Sequence, residues 1–210
     1  MREIFNPDVW LSLFTAASYA VFMRNLLFSG GLGASEVLRA AQRNSEILMS
    51  SLLVSLFSTA AAGISYAAAM RLPAELLSNF HYAYRAAFYG GILLLLYLAV
   101  CGTIALLPQR LAHRKPLLLK RMGMSALNTI VMGVPLLAHL TGESLPGAIG
   151  MGIGAGIAFL VVTMLINSGL HILQQNKAIP PMFTGVPAAL IYTGLLALAF
   201  TGFKGQVLFQ

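Results

Sequence analysis

The chain has 210 residues, of which 58% are hydrophobic and only 9% are charged, and its formal net charge is +7. A soluble domain carries about 25% charged residues, so a soluble fold of this length could not cover its own surface. The basic residues fall in short loops between long apolar runs. That placement is typical of membrane topology signals and argues against nucleic-acid binding.

Six apolar runs are long enough for transmembrane helices, which need about 20 residues each. The runs are continuous and lack the ten-residue alternation of barrel strands, so helices are favoured. The sequence thus predicts an all-α integral membrane protein whose six spans are 9–28, 47–70, 84–107, 122–140, 146–173 and 182–203.

Lysine and arginine placement predicts the orientation of these spans. The loops after spans one, three and five carry eight basic residues, and the opposite side carries four. The richer side is expected to be cytoplasmic, with both termini extracytoplasmic. The eight are Arg39, Arg43, Arg110, Arg114, Lys115, Lys120, Arg121 and Lys177.

Two segments interrupt the helical pattern. Residues 29–35 contain Gly30, Gly31 and Gly33, and each glycine weakens a helix by about 1 kcal/mol. Residues 128–135 end at Pro135, which lacks a backbone donor and is expected to kink its helix. Unwound backbone at membrane depth requires protein or a cavity around it.

The interruptions occupy matching places in two halves of the chain. Asn25 is followed five residues later by Gly30, and Asn128 is followed five residues later by Gly133. Because the breaks are three spans apart, the halves 1–107 and 108–206 are predicted to be inverted repeats. Such paired breaks are typical of a transporter-like site near the bilayer midplane. Residues 207–210 match the remnant of a cleaved purification tag.

Short motifs along nearly the whole chain resemble one family in their order and spacing. Residues 128–133 are similar to an Asn-Cys-x-x-x-Gly segment, and Asn25 through Ser35 match the spacing of a Glu-Asn followed by Leu-Gly-x-Cys. Residues 150–157 resemble the family's glycine-rich fifth helix, and 179–185 with 193–200 its last loop and helix. The family is that of the membrane-embedded subunits of Rnf/Nqr-type electron-transport complexes.

The resemblance implies a six-helix subunit of a prokaryotic inner membrane, made of inverted halves. In the family two such subunits pair and hold a 2Fe–2S cluster between half-helices, with two cysteines from each subunit. Electrons cross the membrane there, coupled to Na⁺ or H⁺ movement. In this sequence the two ligand positions are Ser35 and Thr129, and the sole cysteine is Cys101 in span three. The family's cluster is therefore expected to be absent.

Five polar residues at the breaks are the candidates for chemistry, each with a structural alternative. Asn25 and Asn128 either clamp the broken backbone or line an ion or ligand path. Ser35 and Thr129 either bond across the repeat, ligate a cation through oxygen, or simply pack. Arg24, where the family has Glu, either binds an anionic group, replaces a metal's charge, or snorkels to the interface.

Other chemistry is disfavoured. Glycines 150, 152, 154 and 156 predict close helix packing, since no strand precedes them as a dinucleotide site requires. The four histidines lack ligand spacing, so no metal site is predicted.

Three functions are considered, of which the first is favoured and the second is its alternative. The first is a membrane component of a redox complex, with lipid, a paired homologous subunit, or redox-active subunits as partners. The second is an ion or small-solute transporter or channel with a midplane site at the two breaks. The third is a homodimeric scaffold.

Overall fold

The structure is a computed structural model that describes residues 7–71, 82–106, 115–176 and 180–202. All the regular structure in these ranges is helical. The helices are α1 (Pro7–Ser18), a π-helical turn (Tyr19–Met23), α2 (Leu26–Gly30), α3 (Ala34–Ala41), α4 (Asn44–Arg71), α5 (Tyr82–Ala105), α6 (Lys115–Ala126), α7 (Thr129–Leu140), α8 (Leu145–Gln175), a 3₁₀ turn (Pro181–Phe183) and α9 (Val186–Thr201).

Four helical segments of the described ranges are long and apolar enough to cross a membrane. They are Asn44–Arg71, Ala87–Ala105, Leu118–Leu140 and Leu145–Gln175. Each coincides with a predicted span, so spans two to five are helices of the expected type. The predicted first span is divided among α1, the π-helical turn and α2, and the last apolar helix, α9, has only 16 residues.

Helix α8 is the centre of the bundle, and its glycines let two neighbouring helices approach closely. A Cβ at Gly154 would lie 2.5 Å from the Ala17 carbonyl oxygen of α1, and Gly150 packs against Leu13 of the same helix. On the other side, a Cβ at Gly152 would lie 2.5 Å from the Cα of Thr59 in α4. The predicted close packing of this glycine series is confirmed.

The buried core runs through α8 and the helices around it. Phe57, Ile130, Met151 and Phe159 are among the largest fully buried side chains. Many large apolar side chains on the outer faces of the described helices are exposed. A bundle with an apolar interior and an apolar exterior is what a lipid environment requires.

Basic residues that the sequence assigns to one side of the membrane meet at one end of the bundle. The Glu46 carboxylate lies 3.6 Å from Arg39, 3.4 Å from Arg43 and 4.0 Å from Arg121. These contacts connect the end of α3, the start of α4 and α6. Arg110, Arg114, Lys177, the 107/108 repeat boundary and residues 207–210 lie outside the described residues.

Candidate functional site

The first helix break is organised by Asn25. Its backbone is extended, with φ −62° and ψ 105°, and its side-chain oxygen accepts bonds from the backbone N–H groups of Leu27 (3.1 Å) and Phe28 (3.5 Å). Its Nδ2 donates to the Val21 carbonyl oxygen at 3.1 Å. One amide thus caps the start of α2 and satisfies a carbonyl of the preceding π-helical turn, which accounts for its burial at 2% exposure.

The glycines end α2 by backbone geometry. Gly31 adopts φ +64°, and the N–H of Leu32 donates to the Leu26 carbonyl oxygen at 3.2 Å, as in a Schellman motif. Gly33 also has positive φ, +75°, and precedes α3. The predicted interruption at 29–35 is limited to residues 31–33, because Ser29 and Gly30 belong to α2 and Ser35 belongs to α3. A separate interruption, at Arg24 and Asn25, precedes α2.

The second break is capped in the same way. Asn128 is extended, with φ −69° and ψ 135°, and its Oδ1 accepts a bond from the N–H of Ile130 at 3.1 Å. The second break is shorter than the predicted 128–135, since α7 begins at Thr129 and continues through Pro135 to Leu140. Pro135 is buried, and packing holds the helix on both sides of it.

The two breaks are in direct contact although 96 residues separate them. The backbone N–H of Gly33 donates to the Thr129 Oγ1 at 2.8 Å. A Cβ at Gly33 would lie 2.6 Å from the Ile130 Cδ1 and 2.7 Å from the Asn128 Oδ1. A Cβ at Gly133 would lie 2.8 Å from the Leu32 Cδ1. The candidate residues Asn25, Gly33, Asn128, Thr129 and Gly133 therefore lie in or beside one junction.

The interior behind this junction is almost filled. A cavity of about 10 Å³ lies between the breaks and α8, lined by Asn25, Leu27, Ile130, Val134, Met151 and other apolar side chains. That space holds one water molecule at most. The Nδ2 of Asn128, which is 3% exposed, has no hydrogen-bond partner in the described structure.

Three of the candidate residues are exposed at the surface of the bundle. Arg24 lies between the π-helical turn and α2, and its side chain is exposed. Ser35, near the start of α3, and Thr129, at the start of α7, are also exposed. A group that Arg24 binds, or a metal whose charge it replaces, would therefore lie on this exposed surface.

The residues at the junction do not match the donor set of the family's 2Fe–2S cluster. Such clusters are normally held by four cysteine thiolates, whereas the two relevant positions carry hydroxyls. The Thr129 oxygen already accepts the Gly33 N–H. Cys101 lies in α5, which carries neither break. Within the described residues, no three His, Cys, Asp or Glu side chains form a group that could hold a metal ion.

Asn167 is a structural polar residue that the sequence patterns did not single out. Its Nδ2, in the last third of α8, donates to the Ala41 carbonyl oxygen at 2.6 Å. This bond fixes the end of α3 to the central helix. An amide within the largely apolar run 157–170 is the signal that could have indicated it.

Replacing Thr129 by valine is expected to lower the free energy of unfolding by about 1–3 kcal/mol, because the Gly33 N–H loses its acceptor. Thr129→Ser retains an acceptor and should stay close to the parent protein. Unfolding of the purified variants in mixed micelles measures both. Equal stability of the valine and serine variants would show that the bond contributes nothing.

Comparison with known proteins finds relatives among the subunits of ion-translocating oxidoreductase complexes. A protein described as a subunit of the ion-translocating oxidoreductase complex of Rhodobacter capsulatus is 36% identical over 80 residues, which is 38% of this chain and 41% of the relative. The protein of the same description from an Azoarcus species is 30% identical over 112 residues, 51% of this chain and 58% of the relative. No family model matches the chain.

A third relative carries a fuller description. It is a subunit of the Na(+)-translocating ferredoxin:NAD(+) oxidoreductase complex of Acetobacterium woodii, 33% identical over 81 residues, 39% of this chain and 42% of the relative. The chain spans about half the length of the curated relatives it matches. Together with the motifs and the apolar helices, these matches confirm the resemblance inferred from the sequence: the chain is related to the membrane subunits of Rnf/Nqr-type electron-transport complexes.

Proposed function

We propose that this chain is a membrane-embedded subunit of an ion-translocating electron-transport complex, and that it works without the 2Fe–2S cluster of its family. The relatives are described as subunits of ion-translocating oxidoreductases, which supports the first part. The observation that carries the second part is the 2.8 Å bond from the Gly33 N–H to the Thr129 Oγ1. Through this bond Thr129, which occupies one of the family's two ligand positions, joins the second break to the first.

The proposed architecture has six spans in a bacterial inner membrane, arranged as inverted halves 1–107 and 108–206 with both termini extracytoplasmic. Its support is the equivalence of the two breaks. Asn25 and Asn128 each adopt an extended backbone and cap the helix that follows with their side-chain oxygen. Two helix starts capped alike and packed together are what a repeat around a common centre would produce.

The proposed partner at the junction surface is a second copy of this chain or a homologous subunit. Arg24 is exposed within an apolar region, and a charge facing lipid at the centre of a bilayer costs at least about 2.5–3.5 kcal/mol. Ser35 and Thr129 are polar and exposed as well. A protein partner would shield these groups and satisfy them with hydrogen bonds.

Purification of the tagged chain from the membranes of its own host, in mild detergent, tests this function. We expect flavin- or iron–sulfur-containing subunits to co-purify in fixed stoichiometry and to remain through size-exclusion chromatography. An unrelated tagged membrane protein of similar size from the same host is the control. A chain that emerges without any redox-active partner would overturn the proposal.

A second candidate, an ion or small-solute path, is favoured by one observation. The Nδ2 of Asn128 is buried and lacks a partner within the described residues, and such groups at membrane depth often contact transported species. Asn128→Asp retains the capping oxygen and removes this donor. A transport role predicts that liposome flux changes in this variant, whereas a purely structural role predicts no flux in either protein.

A further inference from the structure

A larger cavity, of about 610 Å³, opens at one end of the bundle, away from the junction of the breaks. It lies where α4 and α7 end and where α5 and α8 begin. Its polar wall consists of Ser65, Tyr66, Arg85, Tyr89, His139 and Glu143. The rest of the wall is apolar and consists mainly of alanine. The volume falls within the range of small-molecule sites, about 300–1,000 Å³.

One polar group on this wall lacks a hydrogen-bond partner within the described structure. Ser65 is 1% exposed, and its Oγ neither donates nor accepts a bond. Hydroxyls elsewhere in the bundle commonly donate to a carbonyl of their own helix, as Ser51 does to Ile47 at 2.7 Å. A buried hydroxyl left without a partner is destabilising unless a ligand or water supplies one.

The wall offers mainly hydrogen-bond donors. Arg85 supplies a guanidinium, Tyr66 and Tyr89 supply phenolic hydroxyls, and His139 supplies a ring N–H. The rings of Tyr89 and His139 are in contact, with centroids 6.2 Å apart, so the two donors are held side by side. A ligand with several acceptor oxygens would be complementary to these donors.

The one carboxylate on the wall is directed towards a helix terminus. The Glu143 side chain packs against Gly147 in the first turn of α8. The positive end of the helix dipole stabilises a carboxylate at this position. The helix terminus therefore balances part of the charge of Glu143, which offsets less of the charge of Arg85.

The cavity lies at the ends of three apolar segments, which is the level expected for lipid head groups. His139 is one residue before the end of the apolar segment Leu118–Leu140, and Arg85 is two residues before the start of Ala87–Ala105. Met70, which also lines the cavity, is next to the end of Asn44–Arg71. At this level a bound lipid would place its phosphate beside the donors and its glycerol beside the alanines.

We propose that this cavity binds the phosphate group of an anionic membrane lipid. Arg85 and His139 donate to the phosphate oxygens, because a planar guanidinium matches phosphate geometry and the two donors line the same cavity from different helices. The Ser65 and Tyr89 hydroxyls complete the shell. The apolar wall of α4 and α7 receives the glycerol region.

The test uses the full chain, delipidated in detergent and placed in nanodiscs of phosphatidylcholine with or without phosphatidylglycerol. We expect phosphatidylglycerol to raise the unfolding temperature and to be retained in native mass spectra. Arg85→Gln should weaken its binding about tenfold or more. His139→Phe should also weaken binding, since it keeps the ring contact and removes the donor. Arg71→Gln, an exposed arginine that does not line the cavity, is the matched control.

Three results would overturn the proposal. Equal binding of phosphatidylcholine and phosphatidylglycerol would show that anionic charge is not recognised. Equal losses in Arg85→Gln and Arg71→Gln would indicate diffuse attraction to the interface. Stabilisation by inorganic phosphate alone, with no effect of the lipid, would assign the cavity to a soluble phosphate compound. If Arg85→Gln does not fold, lipid binding by His139→Phe and Ser65→Ala is compared with that of Arg71→Gln instead.

Discussion

Replacing Gly33 by alanine should lower the free energy of unfolding by about 2–5 kcal/mol. Two costs combine at this position. The φ of +75° is a left-handed conformation that alanine adopts unfavourably. The added methyl group would also lie 2.6 Å from the Ile130 Cδ1 and 2.7 Å from the Asn128 Oδ1 of the second break. The variant should therefore either move the two breaks apart or distort the backbone of both.

Gly31→Ala is the matched control for this prediction. Gly31 has a similar φ of +64°, but no atom would lie within 4 Å of its added methyl group. Gly31→Ala should lower the free energy of unfolding only through the unfavourable backbone conformation, by about 1–2 kcal/mol. Unfolding in mixed micelles under identical lipid conditions gives both values. If the two variants were equally stable, the close contact between the breaks would be wrong.

The second large effect is expected at Gly152 in the central helix. Gly152→Ala should lower the free energy of unfolding by about 1–3 kcal/mol, although alanine is the better helix former. The added methyl group would lie 2.5 Å from the Thr59 Cα and 2.7 Å from the Thr59 nitrogen. Both neighbours are backbone atoms of α4, so relief requires the two longest helices to move apart.

Gly63→Ala, in the interior of α4, is the control that measures the effect of helix propensity alone on the free energy of unfolding. No atom would lie within 4 Å of a methyl group at Gly63. This variant should be as stable as the parent or more stable by up to about 1 kcal/mol. The same unfolding experiment measures both substitutions. A stabilising effect of Gly152→Ala would contradict the arrangement of α8 against α4.

Composition along the chain predicts the long helices well. Helices α4, α5 and α8 extend over the predicted spans two, three and five, because apolar length alone determines a membrane helix. The close packing of the glycine series in α8 is also predicted by the sequence, because no strand precedes these glycines as a dinucleotide site requires. The extended conformations of Asn25 and Asn128 follow from the capping preference of asparagine.

The remaining features depend on contacts between distant residues, which local patterns do not encode. The sequence offers a bond across the repeat as one alternative for Thr129, but it does not identify the Gly33 N–H, 96 residues away, as the partner. The Schellman geometry around Gly31 keeps Gly30 helical, and burial keeps α7 continuous through Pro135. The cavity at Ser65, Arg85 and His139 combines residues from three helices, each of which carries an ordinary polar group there.

The most direct test of the central claim is iron and acid-labile sulfide analysis, with an absorption spectrum, on the anaerobically purified full chain separated from any partner subunits. The bond between Gly33 and Thr129 joins the two breaks of this chain, so we predict no cluster attributable to it. The double variant Ser35→Cys with Thr129→Cys, reconstituted with iron and sulfide, is the positive comparison. Stoichiometric iron and sulfide in the unsubstituted chain would contradict the account, and Arg24, Ser35 and Thr129 would then be the positions to examine for unfamiliar ligation.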